Sequence, residues 1–113
     1  MCGIVGYTGN KPAQEIVIES LKKLEYRGYD SSGIALHEGE IVFSKKEGPI
    51  ANLESVLGSS NSKIAIAHTR WATHGVPSDV NSHPHLSNDG KIAVVHNGTI
   101  DNYLDIKSSL ESE

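Results

Sequence analysis

The stretches Lys63-Ile64-Ala65-Ile66-Ala67-His68 and Lys91-Ile92-Ala93-Val94-Val95-His96 decide the fold. Each holds four consecutive apolar residues with no polar alternation, so a strand built from it is apolar on both sides and both faces of its sheet must be covered. A second sheet on one face and helices on the other meet that demand. The expected architecture is a layered sandwich of the α+β class. Both strands end in histidine and run into polar loops, HTRWATHG (68–75) and HNGTIDN (96–102). Loops at strand ends are where rigid scaffolds hold their chemistry.

On either side of these runs the chain alternates strands and helices. CGIVGY (2–7) reads as a short apolar strand closed by the turn Thr8-Gly9-Asn10. From Lys11 to Glu25, Ala13, Val17, Leu21 and Leu24 recur every three or four residues and share one face of a helix. Asn10 is its expected cap, and Gly28 helps end it. Strands over Gly33–His37 and Glu40–Lys45 form a hairpin through Glu38-Gly39. A helix is expected from Pro49 to Leu57, a flexible loop over 58–62, and an amphipathic segment from Asp101 to Glu113.

The 113 residues allow one small domain. Hydrophobic content of 37% and charged content of 21% fit a globular chain and exclude a disordered one. A net charge of −4 argues against a nucleic-acid partner. No apolar run approaches the ~20 residues needed to span a bilayer, and the first residues lack the basic-then-apolar order of a signal peptide. The expectation is a soluble cytoplasmic protein with neither nucleic acid nor membrane as partner. Its one cysteine cannot form an internal disulfide, which suits a reducing compartment.

That cysteine stands at position 2. Initiator methionine is commonly removed before a small residue, which would leave the thiol and a free α-amine on the same residue. An α-amine titrates close to neutrality, so a fraction is unprotonated and can take a thiol proton. Nucleophile and base would then arrive together, with no separate histidine needed. Position alone leaves this reading beside a plainer one, a cysteine serving as a small strand hydrophobe.

MCGIVG (1–6), LEYRGYDSSG (24–33), HTRWATHG (68–75), NSHPH (81–85) and HNGTIDN (96–102) together resemble the N-terminal glutaminase domains of the glucosamine-6-phosphate synthase family, class II glutamine amidotransferases of the N-terminal-nucleophile hydrolase type. The motifs run in the family's order from residue 1 to the end of the chain. In the related amidophosphoribosyltransferases a histidine-arginine-glycine-glutamine run precedes Asp-Ser-x-Gly. Here that position reads Tyr26-Arg27-Gly28-Tyr29, which favours the aminosugar branch. The resemblance implies a four-layer αββα sandwich, of which this chain is the N-terminal half.

It also implies roles. Cys2 would attack the side-chain amide of L-glutamine, release ammonia and form a γ-glutamyl thioester that water hydrolyses. The Asn97 side chain and the Gly98 N–H would form the oxyanion hole, donors aimed at charge that develops in the transition state. Arg70 would pair bidentately with the glutamine α-carboxylate, a task suited to its planar fork. Thr73 and His74 would line the same pocket, Trp71 would ride a loop that closes over substrate, and Arg27 would support the site. The plainer readings are a tight turn at Asn97-Gly98, a surface ion pair for Arg70, a packed aromatic for Trp71 and a salt bridge with Asp30 for Arg27.

Six histidines raise the question of a metal. His83-Pro84-His85 has ligand-like spacing, and His74, His68 or Cys2 could complete a zinc site. Neither CxxC nor HExxH accompanies it, and His68 and His96 end apolar strands, where a hydrogen-bonded structural histidine is usual. The expectation is no metal and no cofactor. Gly3, Gly6 and Gly9 lack the lysine and serine of a phosphate loop.

By the same resemblance, residues 1–113 are the N-terminal part of a type-2 glutamine amidotransferase domain. The isomerase domains, and with them fructose-6-phosphate, are absent, as is the acidic residue that grips the glutamine α-amino group. An isolated copy is expected to be weakly active or inactive, and to aggregate or to pair through exposed sheet faces, as a homo-oligomer or with another partner. A catalytically silent association module is the alternative function.

Overall fold

The computed structural model describes residues 2–71 and 76–113. The Lys63–His68 run lies at the heart of it, in strand β4 (Ile64–Arg70). This strand pairs on one side with β1 (Gly3–Thr8) and on the other with β2 (Ser31–His37). β2 continues into β3 (Ile41–Glu47) across the expected hairpin, where Gly39 has φ +80°. The four-stranded antiparallel sheet has the order β1-β4-β2-β3.

Residues directly opposite in an antiparallel ladder share a face. Val5 and Ile34 both oppose Ala67, while Tyr7 and Leu36 oppose Ala65. These residues form one apolar face, and α1 (Ala13–Lys22) and α2 (Ile50–Glu54) pack on it through Ala13, Val17, Ile18, Leu21, Ile50 and Leu53. Leu21 and Leu53 are completely buried, each contributing about 1.5–3 kcal/mol relative to exposure. This is the core, and the helical layer expected on one side of the sheet.

The other face carries Ile64, Ile66, His68 and Arg70 from β4 and Gly33, Ala35 and His37 from β2. A second, two-stranded sheet of β5 (His85–Leu86) and β6 (Ala93–Val94) sits against this side. Three observations place it there. The His83 carbonyl passes so close over Gly33 that a Cβ there would lie 1.9 Å from its oxygen. The His83 ring stacks on His68 at 4.1 Å. Ala93 shares an apolar cleft with Ala35, Leu36, Ile64 and Ile66. The chain is α+β, with three layers built on the central sheet.

Several expectations shift. Asn10 does not cap α1: Pro12 occupies the cap position and the first helical N–H, of Ala13, donates to the Ser62 carbonyl at 2.7 Å. A backbone group from a distant loop has replaced the local side chain. The helix ends at Lys22 rather than Glu25, and Gly28 closes a separate 3₁₀ turn over Glu25–Arg27. The loop over 58–62 is anchored by Ser62, which is buried with its Oγ 2.6 Å from the His37 carbonyl. The Lys91–His96 run forms only a two-residue strand, with Ile92 and Val94 exposed, so it is not covered on both faces. The last helix, α3 (Tyr103–Glu111), buries no residue.

Candidate active site

The sheet brings the chain's start beside the end of β4. Gly3 opposes Thr69, so Cys2 arrives next to the residues that follow β4. The Trp71 N–H donates to Cys2 Sγ at 3.4 Å, and the thiol lies 3.8 Å from the Trp71 carbonyl oxygen. The sulfur is thus held by main chain on both counts. Across 95 residues of sequence, Asn97 Nδ2 donates to the Cys2 carbonyl at 3.3 Å. Of the expected site residues, Cys2, Asn97 and Trp71 are therefore brought together.

Arg70 leaves β4 on the same face as His68. It is only 6% exposed and donates from Nη1 to the Val76 carbonyl at 3.2 Å. It is buried rather than at the surface. Trp71 is 43% exposed and meets Tyr29 edge to face, centroids 5.7 Å apart. It is no core residue. Arg27 is half-buried in the 3₁₀ turn, one residue before Gly28. A Cβ on Gly28 would lie 2.7 Å from the Arg70 carbonyl carbon and 2.9 Å from the Trp71 nitrogen. The turn therefore presses on the very peptide that holds the sulfur, and Asp30 N–H donates to the Arg70 carbonyl at 3.0 Å. Gly98 is exposed beside the His96 ring, with φ +150°. Thr73 and His74 lie outside the described residues.

Tyr29 and Gly28 were not singled out as site residues from sequence. Their roles depend on contacts with residues more than forty positions away, and no local pattern reports those.

The histidines form a group on the inner face. His68 is completely buried, its Nε2 2.8 Å from the His96 carbonyl, so it carries its proton on Nε2. His83 accepts the His96 N–H on Nδ1 at 3.3 Å, and His85 lies 4.4 Å from the His83 ring. Burial is the main cause that pushes His68 down to about 4 and His83 to about 3, with neighbouring positive charge adding to it, while the hydrogen bond to the His96 carbonyl acts the other way on His68. Both rings are neutral at pH 7. The hydrogen-bonded structural histidine expected at position 68 is what the structure contains. Among the described residues no group of three or more histidine, cysteine or carboxylate side chains has metal-binding geometry.

No protein-family model matches the chain. Its similarity to curated proteins is extensive. It is 58% identical over 113 residues to a glutamine–fructose-6-phosphate aminotransferase (isomerizing) of Clostridium perfringens, covering 97% of this chain and 18% of that protein. Against the Corynebacterium glutamicum protein of the same name it is 50% identical over 123 residues, covering 100% of this chain and 20% of the relative. Over its whole length this chain is similar to the glutamine–fructose-6-phosphate aminotransferases. It spans about a fifth of the length of those relatives.

Solved structures align over nearly the whole chain. A glutamine phosphoribosylpyrophosphate amidotransferase from B. subtilis aligns over 99% of the chain and 25% of its own length, with a TM-score of 0.82 and 30% identity. A structure described as the allosteric regulatory enzyme of purine biosynthesis aligns with a TM-score of 0.85, again at 30% identity over 99% of the chain and 25% of its own. The fold is that of the N-terminal-nucleophile glutamine amidotransferases. The higher identity to the aminosugar branch agrees with Tyr26-Arg27-Gly28-Tyr29.

Proposed function

We propose that this chain is the nucleophile-bearing part of a glutaminase that releases ammonia from L-glutamine, and that the whole protein uses the ammonia to make glucosamine-6-phosphate from fructose-6-phosphate. Once Met1 is removed, the α-amine of Cys2 takes the thiol proton and the sulfur attacks the side-chain amide carbon. The C–N bond breaks, the amine's proton goes to the leaving nitrogen, and a γ-glutamyl thioester remains. Water adds to the thioester, the C–S bond breaks, and glutamate and thiol are restored. No oxidant, metal or cofactor enters this balance.

The observation that carries the reading is the meeting of Cys2 and Asn97 at 3.3 Å. An amide donor is held against the nucleophile's own residue, which supports its use on the charge that would develop on the carbonyl under attack; losing one such donor costs roughly 10²–10³ in rate. The Asn97 amide now bonds the Cys2 carbonyl, so substrate would have to draw it across to the new oxyanion. Arg70 would hold the glutamine α-carboxylate, with Thr73, His74 and Trp71 around the same substrate and Arg27 behind the site. Residues 1–113 would be the N-terminal part of the amidotransferase domain in a cytoplasmic protein, with the isomerase part elsewhere in the protein. Glutamate release by methionine-processed chain tests this: a slow rate is expected that disappears in Cys2→Ala, and turnover persisting in the alanine variant would remove the thiol mechanism.

The exposed apolar residues Ile4, Phe43 and Ile64 of the sheet and Leu104 and Leu110 of α3 favour a second reading, an association module. Processed chain with no cysteine-dependent glutamate release, yet a concentration-dependent mass, would support it instead.

A further inference from the structure

The mechanism above uses none of the histidines on the inner face, yet two of them grip the residue next to Asn97. His68 Nε2–H donates to the His96 carbonyl at 2.8 Å, while His83 Nδ1 accepts the His96 N–H at 3.3 Å. Both polar groups of one peptide residue are thus held by two imidazoles stacked at 4.1 Å with 22° between their planes. Neither ring is free to turn. His68 is fixed by its place in β4, with no exposed surface. His83 is fixed from above by the passage of its carbonyl over Gly33, and the segment on either side of it is tied down by Lys45, whose amine donates to the Val80, Ser82 and Pro84 carbonyls at 3.2, 2.9 and 3.2 Å. Asn97 follows His96 directly, and its amide reaches Cys2.

We infer that His68 and His83 are positioning residues for Asn97: as a stacked neutral pair they clamp the His96 backbone and so aim the Asn97 amide at the site of attack. The inference rests on the oxyanion role proposed for Asn97. A backbone shift of about 1 Å in such a donor is enough to lose a large part of its effect. The groups facing the pair are His85, His96 and Arg70, with Lys45 beside His85. All the charged ones are cations, so the surroundings favour neutral rings, and the low values of about 4 and about 3 agree with that. Protonation of His83 would convert its accepting Nδ1 into a donor facing the donor N–H of His96.

Two amide side chains separate a clamp from mere filling. Glutamine places its nitrogen near the Nε2 position of histidine, and asparagine places its oxygen near Nδ1. His68→Gln and His83→Asn therefore keep the two bonds, whereas His68→Asn and His83→Gln lose them. In the wild-type chain the Asn97 side-chain amide, followed by NMR, should exchange slowly with solvent. We expect His68→Asn and His83→Gln to speed that exchange about tenfold, the effect of one net hydrogen bond, with His68→Gln and His83→Asn staying within about twofold of wild type. In processed chain the same two disruptive variants should lower kcat at least tenfold with KM unchanged. A common effect of all four variants, or of the two smaller residues against the two larger, would overturn the clamp. If glutamate release persists in Cys2→Ala, the function proposed above fails, while the exchange pattern still decides whether His68 and His83 position Asn97.

Discussion

Gly33 shows how much of this molecule is settled by single atoms. Nothing in its neighbours Ser32 and Ile34 requires glycine, but the His83 carbonyl crosses where a side chain would begin. Gly33→Ala must push the second layer off the sheet, because the obstruction is backbone and cannot rotate away. We expect a loss of about 1–3 kcal/mol, as for other overpacked positions, together with a downfield change at the His68 and His83 ring protons, measured by urea unfolding and NMR. Unchanged stability and ring shifts would mean that the two layers do not approach as described. The position of Cys2 and the family resemblance at Asn97 pointed to these two residues, while Gly28 and Gly33 drew no attention as site residues. The motif residues announce themselves by chemistry. The glycines matter only through what crosses over them, and that is invisible until β4 and the segment carrying His83 are in place.

At the scale of elements, β1, the β2–β3 hairpin and β4 were legible because apolar runs and a Glu38-Gly39 turn are local signals. The start of α1 was not, since its first N–H is satisfied by the Ser62 carbonyl rather than by Asn10. The Lys91–His96 run misled for a related reason: four apolar residues promise a buried strand, but Ile92 and Val94 remain exposed and only Ala93 and Val94 pair. What fastens this second layer is instead Lys45, a charged residue on β3 whose amine collects three carbonyls. Burial lowers its pKa without removing that bonding role. Lys45→Met keeps the stem and deletes the donors. It should cost about 1–3 kcal/mol and accelerate amide exchange at residues 81–83 while leaving that of β1 unchanged. Equal acceleration in β1 would show that the sheet and its second layer open as one unit.

The molecule as a whole should be acid-sensitive in a predictable window. His68 and His83 have folded values of about 4 and about 3 against 6.5 for free histidine, so the unfolded chain binds protons first as pH falls. Stability is therefore complete above pH ~6.5 and is lost progressively as the pH drops toward those folded values. His68 alone should account for about 1–2 kcal/mol between pH 7 and 5, read as a falling urea midpoint. A midpoint that stays flat across that interval would place both rings in water. His68→Gln should flatten much of the slope, since an amide does not titrate.

The sheet order has one more consequence, in time rather than in space. β1 pairs only with β4 within its sheet, so the strand that follows Cys2 has no ladder partner until residue 70 has been synthesised. At 5–20 residues per second that interval is roughly 4–14 s. For those seconds Cys2 lacks the Trp71 N–H that bonds its sulfur, and the main-chain grip on the thiol forms only afterwards.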